Sequence, residues 1–256
     1  MRDSLLQVRD LTKRFGGLTA VSQLEFDVYE GEILGIIGPN GAGKSTTFSL
    51  IAGALPASGG AVRFAGELIL GLPPHAIAAR GILRTFQHNR PFAGMPVIDN
   101  VLVGAHTRFA SSLLSVVFGR AINEEAQRCR HAEELIEFVG LGELKDVSVD
   151  NLSFGQGRLL EIARALAGEP RLILFDEPAA GLTPAECLRL GEIIRGIAAR
   201  GIAVLLIEHD MHFLLPLAQR VVVLNFGAKI ADGLPHEVRA HPAVMDAYLG
   251  SHAAAQ

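Results

Sequence analysis

Cysteine is scarce in this sequence, and basic charge is not in excess. The two cysteines, Cys129 and Cys187, lie far apart and form no CxxC pair. We therefore expect two free thiols in a reducing compartment and no disulfide framework. The chain has 23 lysines and arginines against 27 acids, a formal net charge of −4. Because nucleic-acid binding usually requires a basic surface, this composition argues against a nucleic-acid partner.

Long hydrophobic runs are also absent, although hydrophobic residues make up 49% of the 256 residues. Apolar runs such as 202–207 and 221–224 have the length of strands and are too short to cross a membrane. The first seven residues contain Asp3 and only two adjacent leucines, so we expect no signal peptide. Any work at a membrane must therefore pass through a partner. The length suits one domain, or one domain with a large insertion.

Short apolar stretches indicate a sheet with helices around it. The first 30 residues alternate between apolar and polar positions, which is typical of strands. The segment 32–37 predicts a buried strand that ends in a glycine-rich turn. The runs 172–175 and 203–207 are continuously apolar, as in parallel strands buried on both faces. A helical pattern over 184–200 separates the last two runs, so this part predicts a βαβ unit.

The stretch from about Val97 to Val149 differs from the rest of the chain. It has helical periodicity, for example at Leu135, Ile136 and Val139, and no strand signal. We therefore predict a helical subdomain inserted into the α/β core.

A glycine-rich loop carries the strongest chemical signal. Residues 38–45 read GPNGAGKS and fit the pattern GxxxxGK[ST], between the predicted strand 32–37 and a predicted helix over 44–52. Glycines let backbone N–H groups curl around phosphate oxygens, and the helix N-terminus adds partial positive charge. We expect Lys44 to reach the β- and γ-phosphates of a nucleotide and Ser45 to offer its hydroxyl to Mg²⁺. The alternative is a glycine-rich turn with an incidental lysine.

Two adjacent acids, Asp176 and Glu177, end the apolar run LILFDE over 172–177. Carboxylates at a buried strand end are costly to desolvate unless a cation lies nearby. We expect Asp176 to hold Mg²⁺, usually through water, and Glu177 to orient an attacking water. The alternative is a pair of acids at an exposed strand end that caps the next segment.

A second short motif precedes the apolar, alanine-rich helix predicted over 159–167. It consists of Leu152, Ser153, Phe154, Gly155 and Gln156. In isolation Ser153 is more simply read as a helix N-cap. However, the phosphate loop, LSFGQ and LILFDEP in this order and spacing resemble the ABC ATPase family, whose signature is usually LSGGQ. In that family the signature binds the γ-phosphate of ATP held by the other subunit, which implies the same role in trans for residues 152–156, with Phe154 as a branch marker.

The resemblance assigns further roles by position. Gln87, after a predicted strand over 82–86, resembles the glutamine that touches Mg²⁺ and links nucleotide to the transmembrane subunit; an ordinary surface glutamine is the alternative. His209 resembles the switch histidine that faces the γ-phosphate, although residues 208–212 (EHDMH) also suggest a metal cluster. Phe15 resembles the aromatic residue that stacks on adenine, against the alternative of a core phenylalanine. Thr183 stands where many relatives carry aspartate in the D-loop.

The expected site is therefore a composite of several segments. We expect Glu177 and His209 to be catalytic and Ser45, Gln87 and Asp176 to hold the metal. The nucleotide-binding residues expected are Phe15, Gly38, Pro39, Asn40, Gly41, Ala42, Gly43, Lys44, Ser45, Thr46 and Gln87.

Several segments resemble the ATPases of branched-chain amino-acid importers. They are RTFQ at 84–87, LSFGQ, AGL at 180–182, the insertion 107–123, and the stretch from 223 through AYLG at 247–250. This resemblance implies an α/β fold: a P-loop NTPase (RecA-like) core, an N-terminal antiparallel β subdomain, and an inserted helical subdomain over approximately 97–165, together forming one domain over 1–256. It also implies ATP and Mg²⁺ as cofactors.

The partners implied are transmembrane permease subunits, a second ATPase subunit of the same or a homologous sequence, and indirectly a periplasmic binding protein. The chain would lie peripherally on the cytoplasmic face of the inner membrane. The segment 89–92 (NRPF) would receive a permease helix, unless Phe92 packs under the helical subdomain. Two alternatives are an exporter ATPase such as the lipopolysaccharide type, and a soluble ABC ATPase acting on nucleic acid or ribosomes. The single cassette and the acidic charge count against the soluble class.

Overall fold

The computed structural model describes residues 3–85, 91–105 and 120–253, with side chains over 3–85, 91–105 and 125–248. The chain divides into two compact units. The first unit comprises residues 1–84, 171–180 and 194–256, and the second comprises residues 85–170 and 181–193.

The strands all belong to the first unit. They are β1 (Leu6–Phe15), β2 (Leu18–Val28), β3 (Ile33–Ile37), β4 (Gly59–Phe64), β5 (Glu67–Leu68), β6 (Ile82–Arg84), β7 (Leu172–Asp176), β8 (Ala203–Ile207), β9 (Arg220–Asn225) and β10 (Ala228–Gly233). The helices are α1 (Lys44–Ile51), α2 (Pro74–Ala79), α3 (Val97–Gly104), α4 (Arg120–Val139), α5 (Phe154–Ala167), α6 (Pro184–Ala199), α7 (Met211–Leu214), α8 (Pro235–Ala240) and α9 (Pro242–Ala253). None of these helices, as far as the described residues extend, combines the length and hydropathy needed to cross a membrane.

A six-stranded sheet with the order β10-β9-β3-β8-β7-β6 forms the centre of the first unit. Strands β6, β7, β8, β3 and β9 run parallel, and β10 pairs antiparallel with β9. β7 and β8 are parallel neighbours with α6 between them in sequence, which confirms the predicted βαβ unit. Ligands of such sheets bind at the carboxyl ends of the strands. Here the phosphate loop, the acid pair and His209 follow β3, β7 and β8, so they meet at one edge.

A four-stranded antiparallel sheet, ordered β2-β1-β4-β5, contains the N-terminal strands. The alternation read from the first 30 residues is therefore confirmed, whereas β4 and β5 were not predicted. One hydrophobic cluster takes fully buried side chains from both sheets and from α1, including Leu6, Leu34, Phe48 and Leu205. This core fixes the start of α1, and hence the phosphate loop, against the sheet.

Helices α3, α4 and α5 pack on one another in the second unit. A Cβ atom at Gly104 would overlap the backbone carbonyl of Arg164, so α3 and α5 approach closely at a residue without a side chain. Two boundaries predicted from the sequence were wrong. Helix α5, predicted to begin at Leu159, begins at Phe154 because Ser153 caps it. The strand predicted over 82–86 is β6, which ends at Arg84; Phe86 lies outside the described residues.

Candidate nucleotide site

The loop between β3 and α1 has the backbone of a phosphate-binding turn. Gly38, Gly41 and Gly43 all have positive φ, at 153°, 79° and 98°. A Cβ atom on Gly38 would overlap the carbonyl oxygen of Leu224, and one on Gly43 would overlap that of Ala20. A Cβ atom on Gly41 would meet no atom within 4 Å. Glycine is therefore required twice for packing and once for backbone conformation alone.

The N-terminus of α1 opens into a cleft. Gly43 is the N-cap and has no side chain with which to cap the helix, and the first turn contains no acidic residue. The N–H groups of a helical first turn lack intrahelical acceptors and attract anions. The cleft has a volume of about 190 Å³ and is lined by residues 40–46 together with Ala20 and Glu177. This arrangement is suited to a polyphosphate.

Lys44 is held by the loop itself. Its Nζ donates hydrogen bonds to the carbonyl oxygens of Gly38, at 2.7 Å, and Pro39, at 3.0 Å. Burial lowers the pKa of Lys44, and the charges of Glu177 and Asp176 partly offset that shift. An incidental surface lysine would be exposed, whereas this one is 6% exposed. The ammonium group is therefore already positioned among the groups expected to surround phosphate.

The acid pair divides between a buried and a cleft-facing carboxylate. Asp176 is 1% exposed, and its Oδ2 accepts a hydrogen bond from Nη2 of Arg84 at 2.6 Å. Glu177 follows with φ of 49°, which few non-glycine residues adopt. Nδ1 of His209 lies 3.8 Å from Oε2 of Glu177. The reading of both acids as exposed capping groups is wrong for Asp176. Glu177 lines the cleft beside the phosphate loop, and His209 lies next to Glu177.

Sequence reasoning missed Glu208, which precedes the histidine. Its side chain is 1% exposed, and its Oε1 accepts a hydrogen bond from the N–H of Ala179 at 2.9 Å. Burial is the main cause that raises its pKa to about 7; Glu177 adds to the rise, while Ala179 and His209 oppose it. An acid directly after an apolar strand was the available signal. Across the described residues no group of three or more His, Cys, Asp or Glu is arranged to hold a metal.

Glu208→Gln is expected to change how stability depends on pH. The folded-state pKa of about 7 lies above the ordinary 4.5, so the neutral carboxyl stabilises the fold below pH 4.5, and this contribution is lost as pH rises through 7. The glutamine side chain of the variant does not titrate, so it contributes no pH dependence to stability. Relative to the wild type, the variant should gain about 1–3 kcal/mol of unfolding free energy between pH 5 and pH 9. Urea unfolding at both pH values measures it, with exposed Glu25→Gln as the control; parallel pH profiles would contradict the assignment.

Ser153 forms a reciprocal capping box at the start of α5. Its hydroxyl accepts a hydrogen bond from the N–H of Gln156 at 3.2 Å, and Oε1 of Gln156 accepts one from the N–H of Ser153 at 2.8 Å. The N-cap reading of Ser153 is therefore correct as a description of this conformation. Phe154, the next residue, is 58% exposed. A contact of these residues with nucleotide in trans stays a prediction.

Thr183 and Glu186 form a similar set of capping hydrogen bonds at the start of α6. The N–H and hydroxyl groups of Thr183 both donate to Oε2 of Glu186 at 2.8 Å, and these hydrogen bonds lower the pKa of Glu186. Threonine is a favourable N-cap residue, as aspartate is, so Thr183 can cap the start of α6 as an aspartate would. A Cβ atom on Gly155 would overlap the carboxylate of Glu186. A side chain at this position would therefore require the Glu186 carboxylate to move.

The remaining predicted residues fall in different environments. Phe15 is 46% exposed, with Nζ of Lys13 4.8 Å from its ring centroid, so it is not a core residue. Gln87 lies outside the described residues, as do residues 89 and 90 of the expected docking segment. Phe92 is 45% exposed; its N–H donates to Oδ1 of Asn100 at 2.8 Å, and Arg164 lies over its ring at 5.1 Å. Phe92 therefore packs within the helical unit and still presents a surface.

Comparison with known proteins decides the family. Residues 21–180, more than half of the chain, match the family model described as ABC transporter. The chain belongs to the ABC transporter ATPase family. Residues 228–254 of this ABC ATPase also match the model described as branched-chain amino acid ATP-binding cassette transporter.

Similar proteins cover this ABC ATPase almost from end to end. It is 41% identical over 98% of its length to the high-affinity branched-chain amino acid transport ATP-binding protein BraF of Pseudomonas aeruginosa, covering 99% of that protein. It is 40% identical to the corresponding LivG of Escherichia coli strain K12, with the same coverage. The crystal structure of the ADP conformation of MJ1267, an ATP-binding cassette of an ABC transporter, is 34% identical, with a TM-score of 0.85 over 97% of this chain and 99% of that one. The predicted fold, ATPase activity and branch are thereby confirmed.

Proposed function

We propose that this ABC ATPase binds Mg-ATP in the cleft beside residues 38–46 and drives the import of branched-chain or related amino acids. The observation that carries the transport class is the match of residues 228–254 to the branched-chain model, together with the end-to-end similarity to BraF and LivG. ABC transporter ATPases act with membrane permeases, so a permease is the direct partner. The match of residues 228–254 favours an importer over a lipopolysaccharide-type exporter or an ATPase acting on nucleic acid.

The described residues fit a nucleotide with Mg²⁺. Lys44 and the open first turn of α1 provide positive charge and N–H donors for phosphates, and half-exposed Phe15 offers a face for adenine. Oδ1 of Asp176 is buried and has no hydrogen-bond partner among the described residues, while Ser45 is exposed at the start of α1. Mg²⁺ prefers such oxygen ligands. We propose that both hold Mg²⁺ with Gln87, and the bound ion would offset negative charge on the phosphates.

Glu177 is proposed to orient the attacking water, and His209 to steady the γ-phosphate beside it. Their side chains lie 3.8 Å apart, and Glu177 lines the cleft, which supports this proposal. Hydrolysis in the family requires a second ATPase subunit, either a copy or a homologue. Its residues 152–156, at the N-terminus of α5, would supply the field that stabilises the γ-phosphate. We further propose that the chain lies on the cytoplasmic face of the inner membrane and meets the periplasmic binding protein only through the permease.

Uptake by the assembled importer tests the proposed transport class. The gene for this chain would be coexpressed with the neighbouring genes that encode the permease subunits and the partner ATPase. The assembled transporter would be reconstituted into proteoliposomes, and the binding protein encoded by a neighbouring gene would be added. We expect ATP-dependent uptake of labelled leucine that excess valine or isoleucine lowers about tenfold or more, because a shared apolar pocket discriminates weakly between aliphatic chains. Urea should leave uptake unchanged. Outward transport, or uptake that aliphatic amino acids do not inhibit, would contradict the proposal.

A further inference from the structure

One arginine, Arg84, is linked by hydrogen bonds to both proposed metal ligands, Asp176 and Ser45. Arg84 ends β6 and lies beside β7 in the sheet. Its Nη2 donates to Oδ2 of Asp176 at 2.6 Å, and its Nη1 donates to the hydroxyl of Ser49 in α1 at 3.2 Å. The hydroxyl of Ser49 in turn donates to the carbonyl oxygen of Ser45 at 2.8 Å. A continuous set of hydrogen bonds therefore runs from the strand that carries the acids to the helix that follows the phosphate loop.

Among the arginine–carboxylate pairs described in the first unit, this pair is the most buried. The side chain of Asp176 is 0% exposed and that of Arg84 is 20% exposed; the corresponding values are 11% and 24% for Glu32 and Arg220, and 38% or more for each side chain of Arg80–Glu67 and Arg171–Glu30. A buried carboxylate is costly unless it is paired, and exposed pairs contribute little. Arg84 occupies Oδ2, which leaves Oδ1 as the oxygen without a hydrogen-bond partner in the described part of the chain. The guanidinium thus determines which oxygen of Asp176 can accept a further ligand.

We propose that Arg84 is a positioning residue for the metal–nucleotide site: it holds Asp176 through Oδ2, presents Oδ1 to the metal, and ties this geometry to Ser45 through Ser49. The inference rests on the proposed function, in which Asp176 and Ser45 hold Mg²⁺. Lysine cannot replace Arg84 fully, because only the planar fork of arginine donates to two acceptors in fixed directions. The arrangement also places the fixed arginine one residue before Thr85 and three before Gln87, where the chain enters the second unit.

Two effects of Arg84 on the metal oppose each other. Its positive charge repels a cation, whereas its hydrogen bond orients the ligand. Partners that orient a metal ligand from outside typically strengthen metal binding by about 10–100-fold. We therefore expect orientation to outweigh repulsion, so that removal of Arg84 weakens metal binding.

The test measures Mn²⁺, a paramagnetic substitute for Mg²⁺, on the ADP-loaded protein through the electron paramagnetic resonance signal of free Mn²⁺. Arg84→Gln should raise the dissociation constant for Mn²⁺ about tenfold or more, and Arg84→Lys should raise it less. Ser49→Ala keeps the ion pair and removes only the link to Ser45, so it should raise the constant about threefold. Affinity for ADP in EDTA should stay within about twofold in all three, because none removes a phosphate donor.

Arg220→Gln is the matched control. Arg220 forms a partly buried pair with Glu32 at the opposite, amino-terminal edge of the same sheet, so its loss should lower stability without changing Mn²⁺ affinity. Wild-type or tighter Mn²⁺ binding by folded Arg84→Gln and Arg84→Lys would overturn the role of Arg84. Asp176→Asn separates this failure from that of the proposed function: if it too left Mn²⁺ binding unchanged, the metal site itself would be misplaced, and the role of Arg84 would be lost with it.

Discussion

Glu177→Gln should retain ATP binding and lose about a hundredfold or more in turnover. The amide occupies the same space at the end of β7, beside His209 and the cleft, but it cannot accept a proton from the attacking water. Removal of a positioned general base typically costs about 10²–10⁴ in rate. Phosphate release at saturating Mg-ATP measures turnover, and equilibrium binding of a fluorescent ATP analogue measures affinity. Because the γ-phosphate would persist, a closed dimer should accumulate on a sizing column in ATP.

Glu192→Gln on α6 is a suitable control, because it removes the charge of an exposed acid outside the proposed site. It should hydrolyse ATP at the wild-type rate. Hydrolysis by Glu177→Gln within about tenfold of wild type would mean that another group positions the water. A parallel loss of ATP affinity would instead indicate that the carboxylate supports the loop.

Lys44→Ala should weaken nucleotide binding by about tenfold to a hundredfold. The ammonium group is expected to exchange its hydrogen bonds with Gly38 and Pro39 for charge-assisted ones with phosphate, each worth about 1.5–3 kcal/mol. Binding of the fluorescent ATP analogue measures the loss, and circular dichroism checks that the variant is folded. Lys229→Ala, on β10, removes a lysine that pairs with Asp232 and serves as the control. Wild-type affinity in folded Lys44→Ala would contradict the phosphate-loop assignment.

The parts of the site that could be predicted are those encoded within short segments. The phosphate loop, the apolar strands and the acids that end them depend on local periodicity and on glycine, and the structure places them together as expected. The hydrogen bond of Asp176 could not be predicted in this way. Its partner, Arg84, is 92 residues away in sequence, and only the pairing of β6 with β7 brings the two together. No periodicity in either segment encodes that neighbour.

Other differences have similarly specific causes. Glu208 carries no motif of its own, and its raised pKa follows from burial, which the hydrogen bond from Ala179 only partly offsets. Ser153 had two readings; the structure shows the capping one, and the contact in trans stays a prediction. Strands β4 and β5 are short and mostly exposed, so apolar alternation gives them little signal.

The hydrogen bonds of Lys44 within its own loop have a consequence for selectivity among anions. Two of the three N–H donors of the ammonium group already bond carbonyl oxygens, so an anion that enters finds one donor open and competes with the carbonyls for the other two. A monoanion gains little from that competition. A polyphosphate brings several oxygens of high charge density and can engage the open N–H groups of α1 at the same time. We therefore expect the loop to bind a polyphosphate more tightly than chloride.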